Sequence, residues 1–111
     1  MTDVSVLYEE ADKLKDEGKF QEAIDKLNEL LAVEANHALS HLGLAVLYGK
    51  VGQHDKAVEH GRQACAAEPN DSFNFTALSI TCQRAWAGTQ NQAYIQEAEE
   101  AMAKAHMLQG R

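Results

Sequence analysis

Displaced by 34 residues, the sequence matches itself. The shift carries Ala11 onto Ala45, Gly18 onto Gly52, Ala23 onto Ala57, Ile24 onto Val58, Glu34 onto Glu68 and Asn36 onto Asn70. A period of this length confines the chain to architectures made of one small repeated unit, which buries its apolar face only against its neighbours. Within the first copy, Leu7, Ala11 and Leu14 recur at i, i+4 and i+7, one face of a helix. Gly18-Lys19 ends that helix, because glycine reaches the left-handed conformation that closes a helix without steric cost. Phe20, Ala23, Ile24, Leu27, Leu30 and Leu31 then form a second helical stripe. Small side chains at Ala11 and Ala23 let the two helices approach closely. The second copy repeats the plan, with helices expected over 41–51 and 55–67 around a turn at Gly52-Gln53. Pro69 cannot continue the helix, and Asn70, Asp71 or Ser72 caps the next one.

The third copy is longer. Ala57 corresponds to Ala98 and Ala64 to Ala105, a shift of 41 instead of 34, so seven residues are inserted around Trp86 to Gln92. The expected result is a first helix reaching Trp86 or Ala87, a turn at Gly88-Thr89 and a second helix from about Asn91 to Leu108. Such a hairpin projects beyond its neighbours. Connections tolerate insertions of this kind.

With 111 residues the chain has the length of one domain. One proline and scattered valines and isoleucines without period-2 alternation argue for helices and against strands. The formal net charge is −7, concentrated in residues 4–37, which hold nine acids and four bases. That balance argues against nucleic acid or an anionic membrane as the main partner. The opening MTDVSVLYEE has neither the basic nor the apolar run of a signal peptide, and no segment approaches the ~20 apolar residues of a membrane span. Two cysteines, Cys65 and Cys82, make no disulfide framework. A reducing, cytoplasmic setting is the expectation.

The segments Gly18-Lys19-Phe20-Gln21-Glu22-Ala23-Ile24 and Gly52-Gln53-His54-Asp55-Lys56-Ala57-Val58, followed by Glu68-Pro69-Asn70, resemble the tetratricopeptide repeat (TPR) family. The resemblance covers residues 4 to about 108. It departs at Ala35, where proline is usual, and at Leu7 and His41, where an aromatic is usual. It implies an all-α fold, a short right-handed solenoid of three antiparallel helix-turn-helix hairpins. The whole chain, 1–111, then forms a single domain with units at about 4–37, 38–71 and 72–108.

In TPR proteins the first helices of successive units line a concave groove. By the same frame, unit one places Tyr8, Asp12 and Lys15 there, with Ser5. Unit two supplies Leu39, Leu42, Val46 and Lys50, with Gly43 and Gly49. Unit three supplies Phe73, Thr76, Ile80, Gln83 and Arg84, with Ala77. Independently of any family, Leu39, Leu42 and Val46 stand at i, i+3 and i+7 and form one stripe. With Phe73 and Ile80 they make an apolar patch rimmed by Asp12, Lys15, Lys50 and Arg84. The segment HLGLAVLY, residues 41–48, has almost no polar face, which suits a helix covered by neighbours on two sides and by this patch on a third.

Exposed patches of this kind mark interaction sites. The expected function is therefore a protein–protein interaction module, adaptor or chaperone-like, that holds a peptide or a helix in the groove. The alternatives are a self-associating building block, a homodimer among them, and a groove closed by the chain's own last helix. The TPR co-chaperones that bind heat-shock chaperone tails use a clamp of Lys, Asn and Arg side chains. Here Tyr8, Asp12, Gly43, Phe73 and Ala77 stand at those places, so that partner is not expected.

Catalytic, cofactor and metal chemistry find little support. His37 and His41 are four apart, a spacing that suits two metal ligands on one helical face, with no third ligand at useful spacing, although folding can bring His54 and His60 near them. No glycine loop of phosphate-binding form and no nucleophile constellation occurs, so neither enzymatic activity nor a cofactor is expected. Cys65 and Cys82 read as small buried apolar side chains on neighbouring helices.

Overall fold

The computed structural model describes residues 3–110. Among them are six helices and no strand: α1 (Val4–Asp16), α2 (Phe20–Val33), α3 (Ala38–Lys50), α4 (His54–Ala67), α5 (Ser72–Thr89) and α6 (Gln92–Gln109). Consecutive helices pair as hairpins α1–α2, α3–α4 and α5–α6. The hairpins stack in order, α2 on α3 and α4 on α5, and α5 also touches α3. The result is an all-α helical-repeat solenoid. The first two hairpins turn at Gly18 and Gly52, whose φ angles of +80° and +81° favour glycine.

The helix boundaries follow from local hydrogen bonding. Asp3 and Asp71 cap α1 and α5, their carboxylates accepting from Ser5 N and Phe73 N at 2.9 Å. Helix α3 begins at Ala38, three residues before the expected His41, because His37 acts as its cap. The imidazole Nδ1 of His37 accepts from Ser40 N at 3.2 Å, a role the sequence does not advertise for histidine.

The third hairpin turns later than the glycine suggested. Gly88 lies inside α5. The left-handed residue is Gln90, at φ 63°, whose N–H donates to the Trp86 carbonyl at 2.7 Å. Asn91 then caps α6 by accepting from Ala93 N at 3.0 Å. Gly88 instead leaves room for a neighbouring side chain. A Cβ at that position would overlap the imidazole of His54 at the start of α4. The inserted residues lengthen both helices to 18 residues, against 13 and 14 in the preceding hairpins. At ~1.5 Å of rise per residue, the third hairpin is about 6 Å longer.

Two apolar clusters hold the stack together. Ala11, Ala23, Ile24, Leu27, Leu44, Leu47, Tyr48 and Ala57 join the first two hairpins. Val58, Cys65, Leu78, Cys82, Ala85, Ala98 and Ala101 join the second to the third. Where α5 meets α6, Cys82, Ala85, Ala98 and Ala101 contribute short side chains beside Leu78. Helix α3 is buried against α2 and α4 together, which accounts for most of its missing polar face. A bidentate ion pair ties α4 to α6, with Arg62 donating to both carboxylate oxygens of Glu97 at 2.7 Å. No described helix is long and apolar enough to cross a membrane.

A concave apolar groove

Helices α1, α3 and α5, the first helix of each hairpin, share one face of the stack. Between them lies a hollow of about 370 Å3. Leu39, Leu42 and Val46 of α3 form its centre, Phe73, Ile80 and Arg84 of α5 one wall, and Tyr8 and Lys15 of α1 the other. Gly43, Ala45 and Ala77 leave the space because their side chains are absent or short. The spacing of α3 explains the arrangement. Its Leu44, Leu47 and Tyr48 enter the core, so the stripe at Leu39, Leu42 and Val46 is left outside. Phe73 is 63% exposed, Leu39 54%, Ile80 41% and Val46 37%, too much large apolar surface on one face to count as scattered. Helix α6 packs on α5 and contributes no residue to this hollow, so the chain's last helix does not close it.

The remaining expected residues lie near this centre but not all within it. Asp12 lines a small adjoining space with Gly43 and Leu47, and its carboxylate meets Lys15 Nζ at 3.1 Å. Lys50 lines a second hollow of about 190 Å3, with Arg84, Thr81 and His54, and its ammonium stands 5.5 Å from the centre of the Phe20 ring. Thr76 is half-buried and lines neither hollow. Gln83 faces away, into a hollow of about 580 Å3 on the far side of α5, where Trp86, Ile95 and Met102 are its neighbours.

Sequence reasoning missed that far hollow, although the seven-residue spacing of Ile95 and Met102 was a signal for it. The indole Nε1 of Trp86 is buried there without a hydrogen-bond partner. The histidine contact that forms joins neighbouring helices, His41 with His60, instead of His37 with His41. His41 and His60 meet Nδ1 to Nδ1 at 3.0 Å, and His41 Nε2 lies 2.9 Å from the Ala35 carbonyl oxygen. That carbonyl only accepts, so Nε2 of His41 carries a proton, its Nδ1 accepts, and His60 Nδ1–H donates. Burial, reinforced by His41, pushes the His60 pKa down. His37, engaged as a helix cap, stands apart from this pair, and no cluster of three or more metal-ligating side chains occurs among the described residues. Cys65 and Cys82 are both buried, and burial pushes their thiols up to about 11 and about 12. The hollow between α1, α3 and α5 thus combines exposed apolar side chains with the Arg84 guanidinium.

No protein-family model matches this sequence, and no curated protein sequence matches it. Solved structures match throughout. The crystal structure of MamA has a TM-score of 0.82 at 22% identity, over 98% of this chain and 60% of that one. The TPR domain of Sgt2 from Aspergillus fumigatus has a TM-score of 0.82 at 22% identity, over 100% of this chain and 69% of that one. The second TPR of Spaghetti (RPAP3), solved bound to the HSP90 peptide SRMEEVD, has a TM-score of 0.76 at 20% identity, over 95% and 91%. The chain spans 60% of the length of the MamA chain it matches. These likenesses, with the six helices and their stacking, define a TPR-like fold.

Proposed function

We propose that the chain is a protein–protein interaction module that seats a peptide or a helix in the concave groove between α1, α3 and α5. One observation carries the reading: Leu39, Val46, Phe73 and Ile80 stand exposed on a single concave wall. Peptide docking in such grooves uses a few apolar anchors set within a polar rim. The RPAP3 domain, of nearly the same extent, was solved with a peptide bound, which supports a ligand of that kind for this fold. The reading assigns no catalysis. It also sets aside the heat-shock tail clamp, since Tyr8, Asp12, Gly43, Phe73 and Ala77 lack its side chains. A second reading, self-association through the groove or through the long third hairpin, rests on the same exposed side chains.

The test is Leu39→Ser combined with Phe73→Ser. These are the two most exposed large apolar residues of the groove, and the change leaves net charge untouched. Partner capture from a lysate of the source cells is expected to fall at least tenfold while the melting temperature holds. Undiminished capture would show that the groove is not the binding surface.

A further inference from the structure

Helices α3 and α5 contain none of the 17 acidic residues of the chain. Every other helix has at least two. The only charged side chains on these two helices, histidines aside, are Lys50 and Arg84, and both line the same hollow. Arg84 also lines the larger apolar hollow, so positive charge and apolar surface are continuous.

Four other cations are paired, and Lys13, Lys56 and Lys104, which have no ion pair among the described residues, stand on helices that carry acids of their own. Lys15 meets Asp12, Lys19 meets Glu17, Lys26 meets Glu10 and Glu29, and Arg62 meets Glu59 and Glu97. Lys50 and Arg84 have no carboxylate within 4.0 Å among the described residues. A cation in the last turn of a helix offsets the helix dipole, which accounts for Lys50. It does not account for Arg84, because α5 runs on to Thr89. The two stand 34 residues apart, so the repeat places them at matching positions on neighbouring helices.

Resting on the groove reading above, we infer that the segment received there is an acidic peptide, its apolar side chains in the Leu39–Val46–Phe73 hollow and its Glu or Asp carboxylates facing Lys50 and Arg84. The carboxylates meant are side chains, distinct from the chain-terminal carboxylate that a tail clamp holds. Complementary charge raises the rate of encounter and fixes register more than it adds raw affinity. A nucleic acid is the weaker fit, since phosphate backbones need a broad basic surface and this chain is anionic outside the groove.

The experiment is fluorescence anisotropy with three labelled synthetic peptide pools. All carry Leu and Phe anchors, with the intervening positions filled by Glu, by Gln or by Lys. The Glu pool is expected to bind about three- to tenfold more tightly than the Gln pool at low salt, the range that one or two partly exposed ion pairs supply. The gap narrows as salt is raised. Lys50→Gln with Arg84→Gln is expected to remove the Glu preference and leave the Gln pool unaffected. Leu39→Ser with Phe73→Ser weakens both pools.

Equal binding of the Glu and Gln pools, or preference for Lys, overturns the acidic partner while leaving the groove in place. A Glu preference that survives the Lys50 and Arg84 changes overturns it as well. Binding that ignores the Leu39 and Phe73 changes, or no binding of any pool, overturns both readings. A labelled single-stranded oligonucleotide that binds and is lost with the Lys50 and Arg84 changes would replace the acidic peptide with nucleic acid.

Discussion

Gly61 marks the point where α4 and α5 come closest. A Cβ there would stand 2.9 Å from Leu78 Cδ1 and 3.8 Å from Leu78 Cα. The leucine tip can turn aside for one methyl group, but the backbone behind it cannot. Gly61→Val is therefore expected to destabilise the fold by roughly 1–3 kcal/mol, the usual cost of overpacking, read as a lowered urea midpoint. Gly61→Ala should cost much less, since only the end of Leu78 has to move. Residue roles of this sort were unevenly legible. The small residues Ala11 and Ala23 read correctly as sites of helix approach, because the repeat displays them twice. Gly88 did not, because a glycine beside an insertion looks the same in sequence whether it makes a turn or admits a histidine ring.

At the scale of elements, the repeat made the order of the six helices readable, and α4 and α6 to within a residue at each end, since apolar spacing recurs from copy to copy. The start of α3 and the third turn escaped because their signals, a histidine cap and a glutamine in the left-handed conformation, are used only once. The contact between α3 and α4 has a pH dependence of its own. His60 Nδ1 meets His41, its ring stacks on Tyr48 with centroids 5.5 Å apart, and Lys56 and Glu59 of α4 act on it electrostatically. Its folded pKa lies below the ordinary 6.5, so the unfolded chain binds the proton more readily. The stability it confers is present above about pH 6.5 and is lost as pH falls towards the lowered folded value. The urea midpoint is expected to drop between pH 7.5 and pH 5.5, and His60→Gln should flatten that slope. An unchanged slope in the variant would assign the effect to other groups.

For the whole molecule, the sequence revealed the solenoid and most of the residues that line the hollow between α1, α3 and α5, because the frame of the repeat specifies which residues face inwards. It did not reveal how the charges divide the groove into an apolar hollow and a cationic one, since that depends on which side chains pair in space. Lys15 is neutralised by Asp12, whereas Lys50 and Arg84 are not. The chain is expected to run as a monomer in light scattering on a sizing column across a wide dilution range. A dimer that persists on dilution would put self-association ahead of peptide capture. The placement of the acids also has a kinetic consequence. All the helical acids lie on α1, α2, α4 and α6, so the long-range field of the molecule is anionic and only α3 and α5 depart from it. On the acidic-peptide reading, added salt is therefore expected to speed encounter by screening the exterior while it weakens the final ion pairs, a split that association and dissociation rates measured separately would show.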